Sequence, residues 1–264
     1  MGIITLTTDF GLQDSYVAEM KGVILSICPS ATLVDITHVV PPGDIRYGAF
    51  VLSVATRAFP PGTVHVAVVD PGVGTERRPI AVQTERGAFV APDNGLLSFV
   101  LADTAPARAV VLSNQAYHRR PVSDTFHGRD IFAPAAAYLH NGVPLQAFGP
   151  EARDLNLFPL PRPHWVGEGL LDGEVIHVDG FCNVITNICR RDGDWGRFAY
   201  AQVGRRKIRR LCRAYAEAAP GELVALFGGS GYLELALRDG CAAGRLRAKP
   251  GTSVRVAFTE PGRG

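Results

Sequence analysis

Up to about residue 158, this 264-residue chain alternates apolar, strand-like runs with helix-like segments. Six runs are rich in Val and Ile, end at Gly, Pro or Asp, and are predicted to be strands: 3–7, 32–35, 64–69, 80–83, 89–91 and 109–112. Three further segments are predicted to be helices: 14–27, 45–58 and 131–140. Asp14 or Ser15 is expected to cap the first helix. Because strands that alternate with helices form α/β layers, we expect an N-terminal α/β domain with a largely parallel sheet.

A proline-rich stretch then interrupts this alternation. Pro159, Pro161 and Pro163 favour an extended, stiff connector, and residues 159–165 are predicted to be a linker. Beyond it, Gly-rich turns separate short strand-like runs: 170–179, 184–188, 197–203, 223–227 and 254–258. This spacing predicts a smaller β domain, a barrel or a sandwich. The expected organisation is an α/β domain over 1–158 and a β domain over 166–264.

Composition and charge limit the classes of partner. The net charge of +2 gives no reason to expect nucleic acid or an anionic membrane surface. No apolar run approaches the roughly 20 residues that a membrane span needs. The five cysteines are widely scattered and are expected to be small buried hydrophobes in a reducing cytoplasm: Cys28, Cys182, Cys189, Cys212 and Cys241. We therefore expect a cytoplasmic globular protein.

The stretch Asp70-Pro-Gly-Val-Gly-Thr-Glu-Arg77-Arg directly follows the apolar run 65–69. It places a carboxylate at the end of a predicted strand, then a turn with two glycines, then a guanidinium. Since ligands bind at the carboxyl ends of strands in open α/β sheets, Asp70 and Arg77 are candidates for chemistry. The alternative is a turn cap and a solvated surface charge. His127, between Phe126 and Gly128, can join the pair, and metal binding is not expected because no second His or Cys stands at ligand spacing.

Asp9 ends the first predicted strand in the motif TTDFG. A carboxylate at this position can accept two hydrogen bonds from a vicinal diol such as that of ribose, although a turn cap is an equal alternative. The chain contains neither a dinucleotide fingerprint nor a phosphate-loop lysine. This absence favours a ligand that contains ribose but no phosphate.

The C-terminal half contributes candidates for binding a base and an ammonium group. Asp179 and Asn183 lie across a predicted tight turn, where an acid can bind an ammonium group and an amide can pair with adenine. Ser230 lies in a Gly-rich turn that can form a small anion-binding nest, and Tyr215 can stack on a base. The alternatives are ordinary hairpin turns and a tyrosine packed in a core.

Six motifs occur here in the order of a known family: TTDFG, VDPGVGTERR, APDNGLL, FHGRD, DGFCNVITN and GGSGYLELA. From Thr7 to about Ala243 the chain resembles the S-adenosylmethionine (SAM) hydrolases, the adenosine-forming SAM hydroxide adenosyltransferases, which are related to SAM-dependent fluorinases and chlorinases. The resemblance implies an N-terminal α/β domain, a C-terminal β-barrel and a homotrimer with active sites between subunits. It implies SAM as the substrate, adenosine and methionine as the products, and no cofactor or metal.

The resemblance also assigns roles to residues. It implies a water-activating trio of Asp70, Arg77 and His127, a ribose-binding Asp9, and six further substrate-binding residues: Phe126, Asp179, Asn183, Tyr215, Ser230 and Arg238. The halogenases have tyrosine at the position of Asp70 and also differ at His127, so hydrolysis is expected here. The alternatives are a chlorinase-like SAM-dependent halogenase and a non-catalytic SAM or adenosine sensor. Cys182 stands where the family has glycine, and since cysteine disfavours positive φ, the turn at Asn183 is expected to be reshaped.

Overall fold

The computed structural model describes residues 2–104 and 108–259. The chain divides into two compact units, Met1–Leu160 and Pro161–Gly264. The division falls inside the predicted linker. The last two residues of that linker belong to a strand, β7 (His164–Gly167), so the extended connector is shorter than expected.

The N-terminal unit contains a six-stranded sheet in the order β2-β1-β3-β5-β4-β6. All six predicted strands are present: β1 (Ile3–Thr8), β2 (Thr32–Thr37), β3 (Thr63–Val68), β4 (Pro79–Thr84), β5 (Gly87–Pro92) and β6 (Arg108–Val111). Strands β2, β1, β3 and β5 are parallel, whereas β4 runs antiparallel to both β5 and β6. The α/β class is confirmed, but the sheet is mixed, because a tight turn after β4 leads directly into β5 and permits only antiparallel pairing.

The helices of this unit are α1 (Tyr16–Ile27), α2 (Ile45–Thr56), α3 (Ser98–Asp103) and α4 (Ala133–His140). Helix α1 buries Val17, Met20 and Ile24, in agreement with the helical spacing of the sequence. Ser15 stands at the N-cap position, as predicted, but its hydroxyl donates to Glu19 Oε1 at 2.7 Å and makes no capping hydrogen bond to the helix backbone. Helix α3 was missed because six residues are too few for a periodic pattern.

His65 lies on β3 in the interior of this unit and is fully buried. Its Nδ1 lies 2.8 Å from Thr5 Oγ1, and its ring stacks on Phe89 with the centroids 4.8 Å apart. Burial disfavours the charged imidazolium and lowers the pKa of His65 to about 4. The folded protein therefore holds this imidazole neutral across the neutral and mildly acidic range.

We expect the unfolding free energy to fall as the pH drops from about 6.5 to about 4, because the unfolded chain protonates His65 in this window and the folded chain does not. The loss from this group is about 3 kcal/mol when the pH passes below the folded pKa. Urea unfolding followed by circular dichroism between pH 7 and pH 4 measures it. His65→Asn, which cannot titrate, should have a shallower pH dependence, and equal slopes in both proteins would contradict the assignment.

The C-terminal unit is an antiparallel, nearly closed barrel in the order β11-β10-β14-β8-β9-β13-β12, with β7 paired to β8. Its remaining strands are β8 (Leu170–Val178), β9 (Val184–Cys189), β10 (Phe198–Val203), β11 (Arg206–Ile208), β12 (Leu223–Phe227), β13 (Tyr232–Leu237) and β14 (Ser253–Phe258). A bridge between Leu211 and Ala225 joins the segment after β11 to β12 and so connects the two ends of the strand order. The predicted barrel is confirmed, and β7, β11 and β13 are additional strands. Helix α5 (Ala242–Leu246) follows β13.

Cys182 and Cys241 form a disulfide, so the prediction of buried, unlinked cysteines is wrong for this pair. They are 59 residues apart in sequence, but Cys182 precedes β9 and Cys241 follows β13, its antiparallel neighbour. The two residues therefore meet at one end of this strand pair, which sequence spacing does not reveal. Cys28 and Cys212 are free thiols. None of the described helices has both the length and the apolar character that crossing a bilayer requires.

Candidate active site

The loop after β3 folds back so that Arg77 contacts Asp70. Val73 N–H donates to the Asp70 carbonyl at 3.2 Å and Thr75 N–H donates to the Gly72 carbonyl at 3.2 Å, which reverses the chain in two successive turns. Arg77 Nε then donates to Asp70 Oδ1 at 2.8 Å, and Nη2 donates to Oδ2. The side chains of Arg77 and Asp70 are only 9% and 5% exposed, so the solvated-charge interpretation fails.

Gly74 allows this loop to pack against the segment that precedes His127. It adopts φ of +77°, and a Cβ at this position would lie 2.5 Å from the Asp124 carbonyl oxygen. Only glycine accommodates both the left-handed conformation and this close backbone approach. The glycine therefore brings the Arg77 loop and the His127 segment together.

His127 completes the trio, since Arg77 Nη2 lies 3.0 Å from its Nδ1. A guanidinium has no acceptor, so Arg77 donates, Nδ1 accepts, and the hydrogen of the neutral imidazole resides on Nε2. The pKa of His127 is lowered, chiefly by burial and then by the positive charge of Arg77. His127 is therefore neutral at neutral pH and presents an N–H donor on its remaining nitrogen.

One donor of Arg77 remains available to a small ligand. The guanidinium lies over the Phe132 ring, with its central carbon 5.1 Å from the centroid. Its Nη1 is buried and has no hydrogen-bond partner among the described residues. Because buried donors are almost always paired, Nη1 is suited to bind an oxygen atom in the site.

A buried carboxylate that the sequence analysis missed supports the His127 segment. Asp130 lies in the π-helical turn Gly128–Phe132 and has no exposed surface. It accepts hydrogen bonds from Arg129 Nε at 2.7 Å, Arg119 Nη1 at 3.1 Å and Ser123 N–H at 2.9 Å. Burial alone would raise the pKa of Asp130, but the hydrogen bonds from Arg129 and Ser123 outweigh burial and lower it. Asp130 thus holds the loop on both sides of His127.

Asp9 follows β1, the parallel neighbour of β3. Thr8 pairs with Val68, so Asp9 and Asp70 leave adjacent strands at the same edge of the sheet. Gly43 N–H donates to Asp9 Oδ2 at 2.8 Å, which fixes one oxygen of the carboxylate.

Phe126 lies in an aromatic cluster between Asp9 and His127. Its ring centroid is 5.9 Å from that of Phe10 and 5.3 Å from that of Tyr16. Since Phe10 follows Asp9 and Phe126 precedes His127, this cluster brings the predicted ribose site next to the trio. Contact between Phe126 and substrate remains a prediction.

The APDNG turn after β5 has a structural role in this unit. Asp93 Oδ2 accepts from Arg78 Nε at 2.9 Å, and Asn94 Nδ2 donates to the Val69 carbonyl at 2.9 Å. The turn therefore anchors both ends of the loop that carries Asp70 and Arg77.

In the C-terminal unit, Asp179 and Asn183 contact each other directly. Asp179 Oδ1 accepts from Asn183 N–H at 2.8 Å, and Asn183 Nδ2 donates to Asp179 Oδ2 at 3.1 Å. Cys182 adopts φ of +70°, the left-handed conformation that suits glycine. The turn thus keeps a conformation typical of glycine. The expectation that Cys182 would reshape it is wrong.

Tyr215 lies beside a buried acid that the sequence analysis also missed. Its hydroxyl donates to Glu234 Oε1 on β13, and the pKa of Glu234 is raised by burial and by the nearby charge of Asp179. Arg238 Nη1 donates to the Ala216 carbonyl at 3.1 Å and thereby anchors the segment that carries Tyr215. The signal for Glu234 is an acid among the apolar residues of the strand-like run YLELAL.

Ser230 lies in the turn between β12 and β13. This turn is closed by a hydrogen bond of 2.9 Å from Gly231 N–H to the Gly228 carbonyl. The roles of Ser230, Tyr215 and Arg238 in binding substrate remain predictions.

Comparison with known proteins agrees with this architecture. The chain matches the model of the SAM hydroxide adenosyltransferase N-terminal domain over residues 4–149 and that of the C-terminal domain over residues 173–255. A Salinispora tropica protein named (R)-S-adenosyl-L-methionine hydrolase is 41% identical to this chain, and the similarity covers 96% of this chain and 97% of that protein. A fluorinase from an Actinoplanes species is 30% identical, and the similarity covers 96% of this chain and 97% of the fluorinase. The crystal structure of an uncharacterized conserved protein from Thermotoga maritima, at 37% identity, superposes with a TM-score of 0.90 over 96% of this chain and 99% of that chain.

The two domain models match in order, and the similarity extends over nearly the whole chain. These matches place the chain in a class of two-domain adenosyltransferases. Within that class, the chain belongs to the SAM hydroxide adenosyltransferase family.

Proposed function

We propose that this protein hydrolyses SAM to adenosine and L-methionine, by in-line attack of an activated water or hydroxide on the ribose 5′ carbon. The observation that carries the proposal is the buried Asp70–Arg77–His127 network, in which Arg77 Nη1 is left to bind an oxygen. The hydrolase name of the 41% identical relative supports the same reaction. No cofactor is part of the proposal.

The nucleophile is the difficult partner in this reaction. Methionine leaves as a neutral thioether from a sulfonium, so the leaving group needs no general acid. Water is a weak nucleophile and hydroxide is scarce at neutral pH, so the enzyme must place the oxygen in line with the C–S bond and favour its deprotonated form. Positioning of this kind can contribute on the order of 7–11 kcal/mol to lowering the barrier.

The proposal gives each member of the trio a role that is consistent with its hydrogen bonds. Both oxygens of Asp70 accept from Arg77, so Asp70 orients the guanidinium. Arg77 supplies a permanent positive charge and the buried Nη1 donor. Because His127 Nδ1 faces Arg77, its Nε2–H donates to the nucleophile and does not accept a proton from it. The trio thus binds the nucleophile as hydroxide, and the proton goes to solvent.

This mechanism predicts that turnover keeps rising with pH above neutrality, by about tenfold per unit until the bound water is fully ionised. If His127 were instead the general base, turnover would level off above pH 6.5, since the pKa of His127 is lowered from that value. Acidification should abolish activity in either case, because protonated His127 carries a positive charge that repels the Arg77 guanidinium. Initial rates of adenosine release from pH 5 to 9 decide the question, and a plateau above pH 6.5 would contradict the hydroxide mechanism.

The proposal includes substrate contacts by the binding residues that the family resemblance implies. Asp9 has one carboxylate oxygen held by Gly43, and its carboxylate binds the two ribose hydroxyls. Asp179 binds the ammonium group of the methionine moiety and Asn183 binds adenine. The other predicted contacts are with Phe126, Tyr215, Ser230 and Arg238.

A homotrimer with active sites between subunits is part of the proposal. Leu12, Val39 and Phe181 are 70%, 69% and 83% exposed, and Leu12 and Phe181 lie near the predicted ligands Asp9 and Asp179. Exposed apolar groups of this size favour burial against another copy of the chain. Light scattering should show a trimer for the wild type and loss of the trimer for Leu12→Ser. The variant should also lose activity. A fully active monomer would contradict this arrangement.

Two other functions are distinguished by one product assay. The 30% identical fluorinase raises the possibility of halide transfer, which the Asp70 carboxylate disfavours because it repels an anion. A non-catalytic SAM sensor would bind without turnover. Purified protein incubated with SAM, with and without chloride, should give adenosine plus methionine in both cases. 5′-Chloro-5′-deoxyadenosine would indicate a halogenase, and binding without product would indicate a sensor.

The proposed location is the cytoplasm. The free thiols of Cys28 and Cys212 are compatible with a reducing compartment, whereas the Cys182–Cys241 link would be exposed to reduction there. Cell fractionation with antibodies against this chain tests the location, and recovery with secreted proteins would refute it.

A further inference from the structure

A series of four polar side chains leads from the surface of the N-terminal unit to the strand end that carries Asp9. Lys21 Nζ donates to Asp35 Oδ2 at 2.6 Å, and Asp35 Oδ1 lies 3.0 Å from His38 Nε2. His38 Nδ1 lies 2.8 Å from Thr8 Oγ1, and both residues are buried. These four side chains form a continuous polar chain behind Asp9.

The polar chain holds the backbone on both sides of Asp9. Phe10 N–H donates to Thr8 Oγ1 at 3.2 Å, and Gly11 N–H donates to the His38 carbonyl oxygen at 2.7 Å. Thr8 and Phe10 are the two neighbours of Asp9 in sequence. The side chain and the backbone of His38 therefore both fix the segment from which the Asp9 carboxylate projects.

The charge of Asp35 favours a hydrogen on the nitrogen of His38 that faces it. An ionised carboxylate only accepts, so the ring hydrogen belongs on Nε2, which faces Asp35. Nδ1 is then an acceptor for the Thr8 hydroxyl, and Thr8 Oγ1 accepts in turn from Phe10 N–H. The Thr8 hydroxyl is thus paired with both His38 Nδ1 and Phe10 N–H, whereas Asp35 approaches His38 Nε2 as a charge contact that lacks hydrogen-bond geometry.

A second Thr–His pair in the same sheet provides a comparison. Thr5 Oγ1 lies 2.8 Å from His65 Nδ1, which matches the Thr8–His38 distance. His65 stacks on Phe89. Among the described residues, neither His65 Nε2 nor His38 Nε2 has a partner with hydrogen-bond geometry, but His38 Nε2 lies 3.0 Å from Asp35 Oδ1. A buried Thr–His pair is therefore accommodated in this sheet without a carboxylate, and Asp35 is an addition at the pair next to Asp9.

We propose that His38 is a positioning residue for Asp9, which it holds through Thr8 in the orientation that binds the two ribose hydroxyls. The proposal rests on the proposed function. Loss of the contact with Thr8 loosens the ribose site but leaves the Asp70–Arg77–His127 network intact. It therefore raises KM for SAM and leaves kcat unchanged.

Isosteric variants test the proposal. Thr8→Val removes the hydroxyl and should raise KM for SAM about tenfold, with kcat within about twofold of the wild type. His38→Leu should act in the same direction, and Thr8→Ser, which keeps the hydroxyl, should restore KM. Thr5→Val is the matched control, because it removes the equivalent hydroxyl from the pair away from Asp9, and it should change neither constant.

An unchanged KM in both Thr8→Val and His38→Leu would overturn the proposal. The proposal is also overturned if Thr8→Val and Thr5→Val change kcat, KM and the melting temperature to the same extent, since the role of Thr8 would then be structural only. Calorimetric titration with adenosine separates this proposal from the proposed function. If the wild type binds adenosine but releases none from SAM, the hydrolase assignment fails, and the positioning role still requires Thr8→Val to weaken adenosine binding about tenfold. A wild type that binds neither ligand would overturn both.

Discussion

Replacing Asp70 or His127 with alanine is expected to lower kcat for adenosine release by roughly 10²–10⁴, while the Kd of SAM changes little. Asp70 binds Arg77 through both carboxylate oxygens, and His127 accepts a hydrogen bond from the same guanidinium. Without either partner, Arg77 loses the geometry that presents its Nη1 donor to the nucleophile. Since the proposed mechanism uses these contacts to stabilise the attacking oxygen and not the bound nucleoside, the loss should appear in turnover.

Asp154→Ala is the matched control for this experiment. Asp154 Oδ1 accepts from Arg78 Nη1 at 2.9 Å, so the control also breaks a carboxylate–arginine pair, one residue along the chain from Arg77. The Asp154 side chain is 87% exposed and lies outside the trio, so its loss should leave kcat near that of the wild type. Single-turnover rates and calorimetric titration with SAM separate chemistry from binding. Wild-type turnover in both Asp70→Ala and His127→Ala would disprove the trio.

Reduction of the Cys182–Cys241 disulfide is expected to lower the unfolding free energy of the C-terminal unit by about 2–4 kcal/mol. The link closes a loop with a sequence separation of 59, and this closure restricts the unfolded chain. It also holds Cys182 in its left-handed conformation beside Asn183. Cys241 is exposed, so a dithiol reductant has access to the link.

Tryptophan fluorescence can follow this effect in the C-terminal unit alone, because both tryptophans, Trp165 and Trp195, lie there. Urea unfolding with and without dithiothreitol gives the difference for the wild type. A double variant, Cys182→Ser with Cys241→Ser, should resemble the reduced protein and should not respond to the reductant. Equal midpoints for oxidised and reduced wild type would refute the predicted stabilisation.

The strands of both units were predictable where burial makes the sequence continuously apolar. Strands β3 and β5 are buried at every position, and both are mostly apolar in sequence. Strand β13 was missed because it interrupts its apolar run with Glu234, whose hydrogen bond to Tyr215 no local pattern reveals. The disulfide was missed for the same reason, since strand pairing alone brings Cys182 and Cys241 together.

The candidate site was predictable as a set of strand-end residues but not as a geometry. Asp9 and Asp70 follow recognisable strands, so their shared edge of the sheet follows from parallel pairing. The spacing between Asp70 and Arg77 acquires a reason only from the two turns that bring the guanidinium back. Asp130 and His38 were missed because their partners are dispersed along the chain and define an environment only after folding.

Strands β1 and β3 are neighbours, and the loops that follow them carry two different parts of the candidate site at one edge of the sheet. Neighbouring strands are about 4.8 Å apart, so the loop of Asp9, the proposed ribose ligand, and the loop of Asp70 and Arg77, the proposed nucleophile site, have a fixed spacing but follow different strands. Substitutions in the loop after β3 can therefore exchange the attacking species without disturbing the nucleoside. The same arrangement makes the segment from Asp70 to Arg77 the natural target for redirecting this enzyme toward other nucleophiles.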